Sequence, residues 1–243
     1  MSALCSMLPW DSEFFSMRIA RYNRSGMDSV QRRRVRDWCA GNRIDCLYFL
    51  ADPSDRRSVM NTETLGMRFV GARADLVLEC PAMAAGARRS VEHASPEDKE
   101  VLLEMASTGH TNTRFWLDIG FPRRKVAGLY RLWMCRALED RDTLVLVRRL
   151  PGVGIVGYGS FEIRDGTGRI DLLGVREGYR GHGIGREIVG AGVEWLESCG
   201  ADLVTVATQG DGGGSIRLYE SAGFRVNRIS AWFHYWPSRG RRP

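Results

Sequence analysis

Lysine is nearly missing from this chain. Only Lys99 and Lys125 occur among 35 basic residues, so arginine carries almost all of the positive charge. Histidine is scarce too, with four copies, and none of the six cysteines forms a C-x-x-C pair. Both shortages argue against a zinc site, so no metal is expected. Reduced thiols are the default reading of such isolated cysteines. No apolar run approaches the ~18 residues of a membrane helix. The opening stretch "MSALCSMLPWDSEFF" has neither a basic start nor a long apolar core, so no secretory signal is expected. A cytoplasmic protein without membrane attachment is the resulting expectation.

What is present fits a globular chain. Hydrophobic residues make up 44% and charged residues 26% of 243 residues, enough for one large domain or two small ones. The net charge of +6 collects in short arginine clusters at Arg32–Arg34, at Arg123 and Arg124, and from Arg239 to Arg242. Solvated helix faces and a loose tail account for these more simply than a nucleic-acid partner.

From Ser90 to Trp236 the pattern alternates between strand and helix periods. Ser95 and Pro96 open one helix, as N-cap and first helical residue. A second helix spans Phe121 to Leu138, with Val126, Leu129, Tyr130 and Trp133 on one face. Three strand-like runs follow, at Thr143–Arg148, Gly154–Ile163 and Arg169–Val175, the last two joined by the hairpin turn "RDGTGR". Ile184, Ile188, Ala191 and Trp195 then mark a helix that Gly200 closes. "ADLVTVAT" is a strand apolar on both faces, "SIRLYESAG" a short helix, and "FRVNRISAWFHYW" one or two final strands. The class is α/β around a mixed central sheet.

Residues 1–85 stand apart as a smaller α/β domain, with "CPAMAAGARRS" (Cys80–Ser90) as linker to a second domain at 86–243. The first domain contains a candidate half-repeat. Shifted by 157 residues, Trp38–Phe69 falls on Trp195–Val226 without a gap. Trp38 meets Trp195, Asp45 meets Asp202, Ser58 meets Ser215, Glu63 meets Glu220, Gly66 meets Gly223 and Arg68 meets Arg225. Chance similarity of two βαβ units is the competing explanation. The N-terminal copy has no glycine loop, which makes it structural or acceptor-shaping rather than a second cofactor site.

The densest signal is "LLGVREGYRGHGIGREI", a strand that runs into Arg180-Gly181-His182-Gly183-Ile184-Gly185 and then a helix. Closely spaced glycines let backbone N–H groups converge, and a helix start adds unpaired donors and the positive end of its dipole. That is a phosphate cradle or, alternatively, a tight structural turn. A dinucleotide fingerprint needs an acid at the end of the next strand, where Ala207-Thr208-Gln209 stands. A Walker loop needs Gly-Lys-Ser/Thr, which is absent.

These residues resemble the GNAT acetyltransferase superfamily, whose coenzyme A loop reads Arg/Gln-x-x-Gly-x-Gly/Ala after an L-x-V strand. Arg180 to Gly185 matches that loop and Leu173-Gly174-Val175 that strand, and "SIRLYESAGF" supplies the later tyrosine helix with Tyr219, Gly223 and Phe224. Ser215 and Arg217 depart from the superfamily's asparagine and small residue there. The resemblance covers roughly Ser90 to Trp236 and implies a GNAT fold with acetyl-CoA as co-substrate. It implies cofactor contacts from Leu173, Gly174, Val175, Arg180, Gly181, His182, Gly183, Ile184, Gly185 and Ser215. It also implies direct amine attack on the thioester, with Tyr219 as candidate acid to the leaving thiolate. His110, Glu162 and Asp171 are candidate bases by position.

Leu8–Tyr22 and Thr111–Trp133 further resemble the TDP-fucosamine N-acetyltransferases, which acetylate the amine of a nucleotide-linked amino-dideoxysugar. That resemblance implies a small-molecule amine acceptor, a nucleotide-aminosugar, with His110, Arg114, Phe115, Trp116 and His234 as candidate acceptor contacts. Another small-molecule or protein amine, or a non-catalytic acetyl-CoA-binding module, are the alternatives. A homodimer is compatible with the sequence, which does not decide it.

Overall fold

The computed structural model describes residues 3–80, 90–210 and 213–237. The expected linker Cys80–Ser90 falls almost wholly outside the described residues, as does the cluster from Arg239 to Arg242. In chain order the elements are β1 (Cys5–Met7), α1 (Pro9–Phe15), β2 (Ile19–Tyr22), α2 (Ser29–Gly41), β3 (Cys46–Ala51), α3 (Arg56–Leu65) and β4 (Arg68–Glu79). After the linker come β5 (Val91–His93), α4 (Lys99–Gly109), α5 (Arg114–Leu117), α6 (Arg123–Glu139), β6 (Thr143–Leu150), β7 (Gly154–Arg164) and β8 (Thr167–Val175). The chain closes with α7 (Ile184–Ser198), β9 (Leu203–Gln209), α8 (Gly213–Ser221) and β10 (Arg225–Tyr235). The final apolar run is thus one long strand, and the short α5 was not expected.

Two compact units result. The first takes the described residues of Met1–Arg73, Asn112–Lys125 and Ile229–Pro243, the second those of Ala74–Thr111 and Val126–Arg228. This division differs from the expected cut at 85/86. The physical reason lies in strand pairing: Ala231–Tyr235 of β10 pair antiparallel with Leu47–Ala51 of β3, which ties the end of the chain into the first unit.

In the second unit β5, β6, β7 and β8 form antiparallel neighbours, and β8 pairs with β9 in parallel, so the sheet is mixed. Helix α7 lays Ile184, Ile188, Val189, Val193 and Leu196 against Val156, Phe161 and Ile170. Burying each such side chain contributes roughly 1.5–3 kcal/mol. Ala191 and Trp195, expected on the same stripe, are only partly buried at its edge. Ser95 is the N-cap as expected, but of a 3-10 turn (Pro96–Asp98) that precedes α4, and Asp98 caps it reciprocally.

In the first unit β1 and β2 are antiparallel, β2 and β3 parallel, and β3 and β10 antiparallel. An Asp28–Gln31 capping box starts α2, and Gly66, at φ +90°, ends α3. The elements follow the offset at which the candidate half-repeat aligns. With the same offset, the end of α2 falls on the end of α7, and β3, α3 and β4 start where β9, α8 and β10 start. The last strands are exchanged: β10 pairs with β3, while β4 neighbours β9.

Candidate active site

Strand β8 sets the geometry. It pairs with β7 along its whole length, from Thr167 opposite Arg164 to Val175 opposite Gly157. Its parallel register with β9 ends at Ile170 opposite Val206, although β8 runs on to Val175. The parting coincides with a β-bulge: Phe161 faces Ile170 and Ser160 faces Leu172, which leaves Asp171 as the extra residue. The Leu172 N–H donates to the Ser160 hydroxyl at 3.0 Å, so the distorted backbone stays satisfied. The backbone of Leu173, Gly174 and Val175 therefore stays paired with β7 while lying beyond the β9 register on its other side.

The glycine loop follows. Arg180 Nε donates to the Val175 carbonyl at 3.1 Å, and His182 Nδ1 lies 2.9 Å from the Arg180 carbonyl. Gly181 and Gly183 both sit at φ +81°, the left-handed region that favours glycine. Gly183 is the N-cap of α7, and no side chain caps the helix there. Its first-turn N–H groups, with the dipole behind them, suit a phosphate. Ser215 lies partly exposed in the first turn of α8. Tyr219 is buried, its ring 5.6 Å from that of Phe224, and burial raises its hydroxyl pKa well above the ordinary value.

Among the described residues of this unit, two cavities bear on the site. One of about 360 Å³ is lined by Glu104, Met105, Thr108 and Gly109 of α4, by Tyr158, by Gly174–Glu177 and by Arg180. Beside it, His110 Nε2 lies 2.9 Å from the Tyr158 hydroxyl, and the imidazole stacks on Tyr130 at 4.6 Å and 15°. Burial, with a smaller push from the Arg180 charge, lowers the His110 pKa to about 4, so the ring is neutral at pH 7.

The second cavity, of about 680 Å³, is lined by Trp133, Arg136, Glu139 and Asp140 of the α6 end, by Ser160, Glu162 and Arg164, and by Arg169, Asp171 and Leu172. Its floor is a charged cluster. The Glu162 carboxylate is buried and pairs with Arg169 at 2.7 Å and with Arg164. Arg169 also holds Asp171 at 2.6 Å. Burial raises the Asp171 pKa, against the pull of Arg169 and with a further push from Glu162.

Residues 106–224 match the Acetyltransferase (GNAT) family. The fold is the GNAT fold. A GCN5-related N-acetyltransferase from Sphaerobacter thermophilus superposes with a TM-score of 0.67 at 15% identity, over 96% of this chain and 76% of its own. A tandem GNAT protein from the clavulanic acid biosynthesis pathway gives 0.57 at 14% identity, over 90% and 75%. Among curated proteins, a spore coat polysaccharide biosynthesis protein of Bacillus subtilis is 28% identical over 59% of this chain. The chain spans half of that relative's length. No helix among the described residues is long and apolar enough to cross a membrane.

The GNAT fold brings the loop, the strand before it, His110 and the Glu162–Asp171 cluster into one unit. The other expected acceptor contacts belong to the first unit, where the structure gives them internal work. Phe115 is buried among Phe15, Tyr48 and Phe121. The Arg114 guanidinium lies 4.3, 4.1 and 4.1 Å from the ring centroids of Tyr48, Phe115 and Trp232. His234 is fully buried, with Nδ1 2.6 Å from Asp118 and Nε2 3.0 Å from Arg114. His234, expected either to face an acceptor or to be a strand histidine packed into the core, has both ring nitrogens occupied inside the core. Trp116 is partly exposed beneath Arg123.

Cys46, Asp118 and His234 bring potential ligand atoms within 4.8 Å of one another. Their arrangement suits a hydrogen-bond network better than a dication, because the Arg114 cation already occupies Nε2. Tyr158 and Ser160 were missed in the sequence. Their signal was the alternation "GYGSFE", in which large and polar residues recur on one face between glycines.

Proposed function

We propose that the chain transfers an acetyl group from acetyl-CoA to a primary amine. The observation that carries this is the parting of β8 from β9 beside a glycine loop that opens an uncapped helix. Pantetheine pairs with the freed Leu173–Val175 backbone, and the pyrophosphate rests on Gly181, Gly183 and the start of α7. Holding donor and acceptor together makes the step effectively unimolecular, and a backbone N–H of the freed strand polarises the thioester carbonyl. The amine attacks directly, with Tyr219 supplying a proton to the leaving thiolate. Asp171, whose carboxyl lines the larger cavity, takes the amine's proton, and that cavity holds the acceptor.

The acceptor on this reading is a nucleotide-linked amino-dideoxysugar. Trp133 offers a face for a sugar ring and Arg136 a cation for a phosphate. Similarity to a spore coat polysaccharide biosynthesis protein supports a sugar-linked substrate. The first unit is non-catalytic on this reading, and a cytoplasmic location gives access to acetyl-CoA. Ser215, standing where the superfamily has asparagine, favours a second reading, a module that binds acetyl-CoA without turnover.

Thiol release from acetyl-CoA, measured against TDP-aminosugars, polyamines and basic peptides, separates these readings. Turnover on a TDP-aminosugar is expected. Tight binding of acetyl-CoA with no thiol released on any acceptor would leave only the binding module.

A further inference from the structure

Tyr158 is a large polar side chain in a place where the strand opposite has made room for it. Tyr158 and Gly174 are cross-strand partners on β7 and β8. A Cβ on Gly174 would lie 2.6 Å from Tyr158 Cε1, 2.7 Å from Cζ and 2.9 Å from the hydroxyl oxygen. The phenol edge therefore lies directly on the Gly174 backbone, and both residues line the smaller cavity beside Arg180. A tyrosine held only for packing needs no fixed hydroxyl direction. This one has its hydroxyl bonded to His110 Nε2, 48 residues away in sequence, and that imidazole is itself clamped flat on Tyr130.

We propose that Tyr158 is a catalytic residue whose hydroxyl donates a hydrogen bond to the acyl carbonyl oxygen of acetyl-CoA, and that His110 is the positioning residue that aims it. The inference rests on the acetyl-CoA reading of the loop. With Nε2 carrying the imidazole proton, His110 donates to the Tyr158 oxygen and leaves the phenolic O–H free to turn into the cavity. The donation also makes that O–H a stronger donor. In the transfer step the amine nitrogen bonds to the carbonyl carbon, the C–S bond breaks, Asp171 takes the proton lost by nitrogen and Tyr219 gives one to the thiolate; a proton passing from Asp171 through solvent back to the Tyr219 oxygen closes the cycle. Tyr158 keeps its own proton throughout and meets the charge that grows on the carbonyl oxygen. Burial, which raises the Tyr158 pKa and lowers that of His110, keeps both groups neutral for this work. The role is distinct from that of Tyr219, which serves the sulfur.

The test needs no knowledge of the acceptor. Acetyl-CoA labelled with carbon-13 at the thioester carbonyl is bound to the full-length protein, and the carbonyl stretch is read by isotope-edited infrared difference spectroscopy. The wild-type band is expected below that of free acetyl-CoA. Tyr158→Phe should move it back toward the free position while affinity for coenzyme A, by calorimetry, stays within about threefold. His110→Ala should give an intermediate band, and His110→Gln, whose amide N–H can reach the same hydroxyl, should restore the wild-type position. An identical band in the wild type and a folded Tyr158→Phe variant overturns the proposal. If the wild type binds coenzyme A but Tyr158→Phe and His110→Ala change only stability, the pair is structural and the proposal fails. No binding of acetyl-CoA to the wild type is a different result: it removes the loop assignment itself and this inference with it.

Discussion

The Tyr158 ring lies so close to Gly174 that no side chain fits between them; a Cβ there would stand 2.6 Å from the ring. Gly174→Ala must therefore push the phenol off the strand or bend β8. Overpacking of this kind costs about 1–3 kcal/mol. A lower urea midpoint is expected, together with a loss of thiol release larger than the stability change explains. A variant with wild-type turnover would show that the Tyr158–Gly174 contact does not matter to the reaction.

Gly183 tests the loop in the opposite way. A Cβ at this position meets nothing within 4 Å, but φ is +81°. Gly183→Trp carries a backbone cost of roughly 1–2 kcal/mol, which a folded domain tolerates. Its indole stands in the space before the α7 start, where the pyrophosphate would rest. Calorimetry should show coenzyme A binding abolished with the circular dichroism spectrum unchanged. Unchanged affinity would return the glycines to the role of a structural turn.

Much of the second unit was legible because its periods are local. The α7 stripe, the "RDGTGR" hairpin and the glycine loop are each written within a dozen or so residues. The bulge at Asp171 was not legible: "RIDLLGV" reads as an unbroken strand, and only the pairing with β7 exposes the extra residue. Nor was the unit boundary, because nothing near Ile229 says that β10 will leave its own repeat and pair with β3. His110 and Tyr158 are joined by tertiary packing alone, so each looked like an isolated residue. The matching order of helix end, strand, helix and strand in the two segments was legible through the shared spacing of Trp, Asp, Ser, Glu, Gly and Arg, since identical offsets between helix ends and strand starts leave identical cap and turn requirements.

The Asp118–His234–Arg114 network makes the first unit acid-sensitive. Burial lowers the His234 pKa to about 4, and Arg114 adds to that effect while Asp118 opposes it. Burial alone would raise the Asp118 carboxyl, but hydrogen bonds from His234, Gly120 and Trp236 outweigh it and hold it low. The unfolded histidine, with a pKa near 6.5, binds a proton that the folded one refuses between about pH 6.5 and pH 4. Stability from this group is complete above that window and falls as the pH drops through it, by about 2 kcal/mol between pH 7 and pH 5. Urea unfolding at both pH values should show the loss, and His234→Gln should reduce it. An equal pH dependence in the variant would place the acid sensitivity elsewhere.

Asp171 should appear in the pH–rate profile if it takes the amine's proton. Its carboxyl must be ionised to do so, and burial raises its pKa, so activity should fall on the acid side at a pH above the ordinary aspartate value of about 3.9. Arg169→Ala removes the cation that favours the ionised form and should move that limb to higher pH. Asp171→Asn should erase the limb and lower kcat by roughly 10²–10⁴. A limb that stays in place in both variants would exclude Asp171 as the base.

Tyr219 offers the cleanest separation of structure from chemistry. Its ring belongs to the core of the second unit, packed near Phe224, and Tyr219→Phe leaves that packing in place. Removing one neutral hydroxyl while the ring stays packed costs only about 1 kcal/mol of stability. Burial keeps the phenol protonated at neutral pH, the state a donor to the departing thiolate requires. Turnover should fall by roughly 10²-fold while KM for acetyl-CoA barely moves, since the hydroxyl works only as sulfur gains charge. The deciding comparison uses donors with different leaving thiols. A thioester whose thiol is more acidic needs less help, so it should lose much less rate in the Tyr219→Phe variant than acetyl-CoA does. An equal loss for both donors would mean that the hydroxyl does not serve the sulfur.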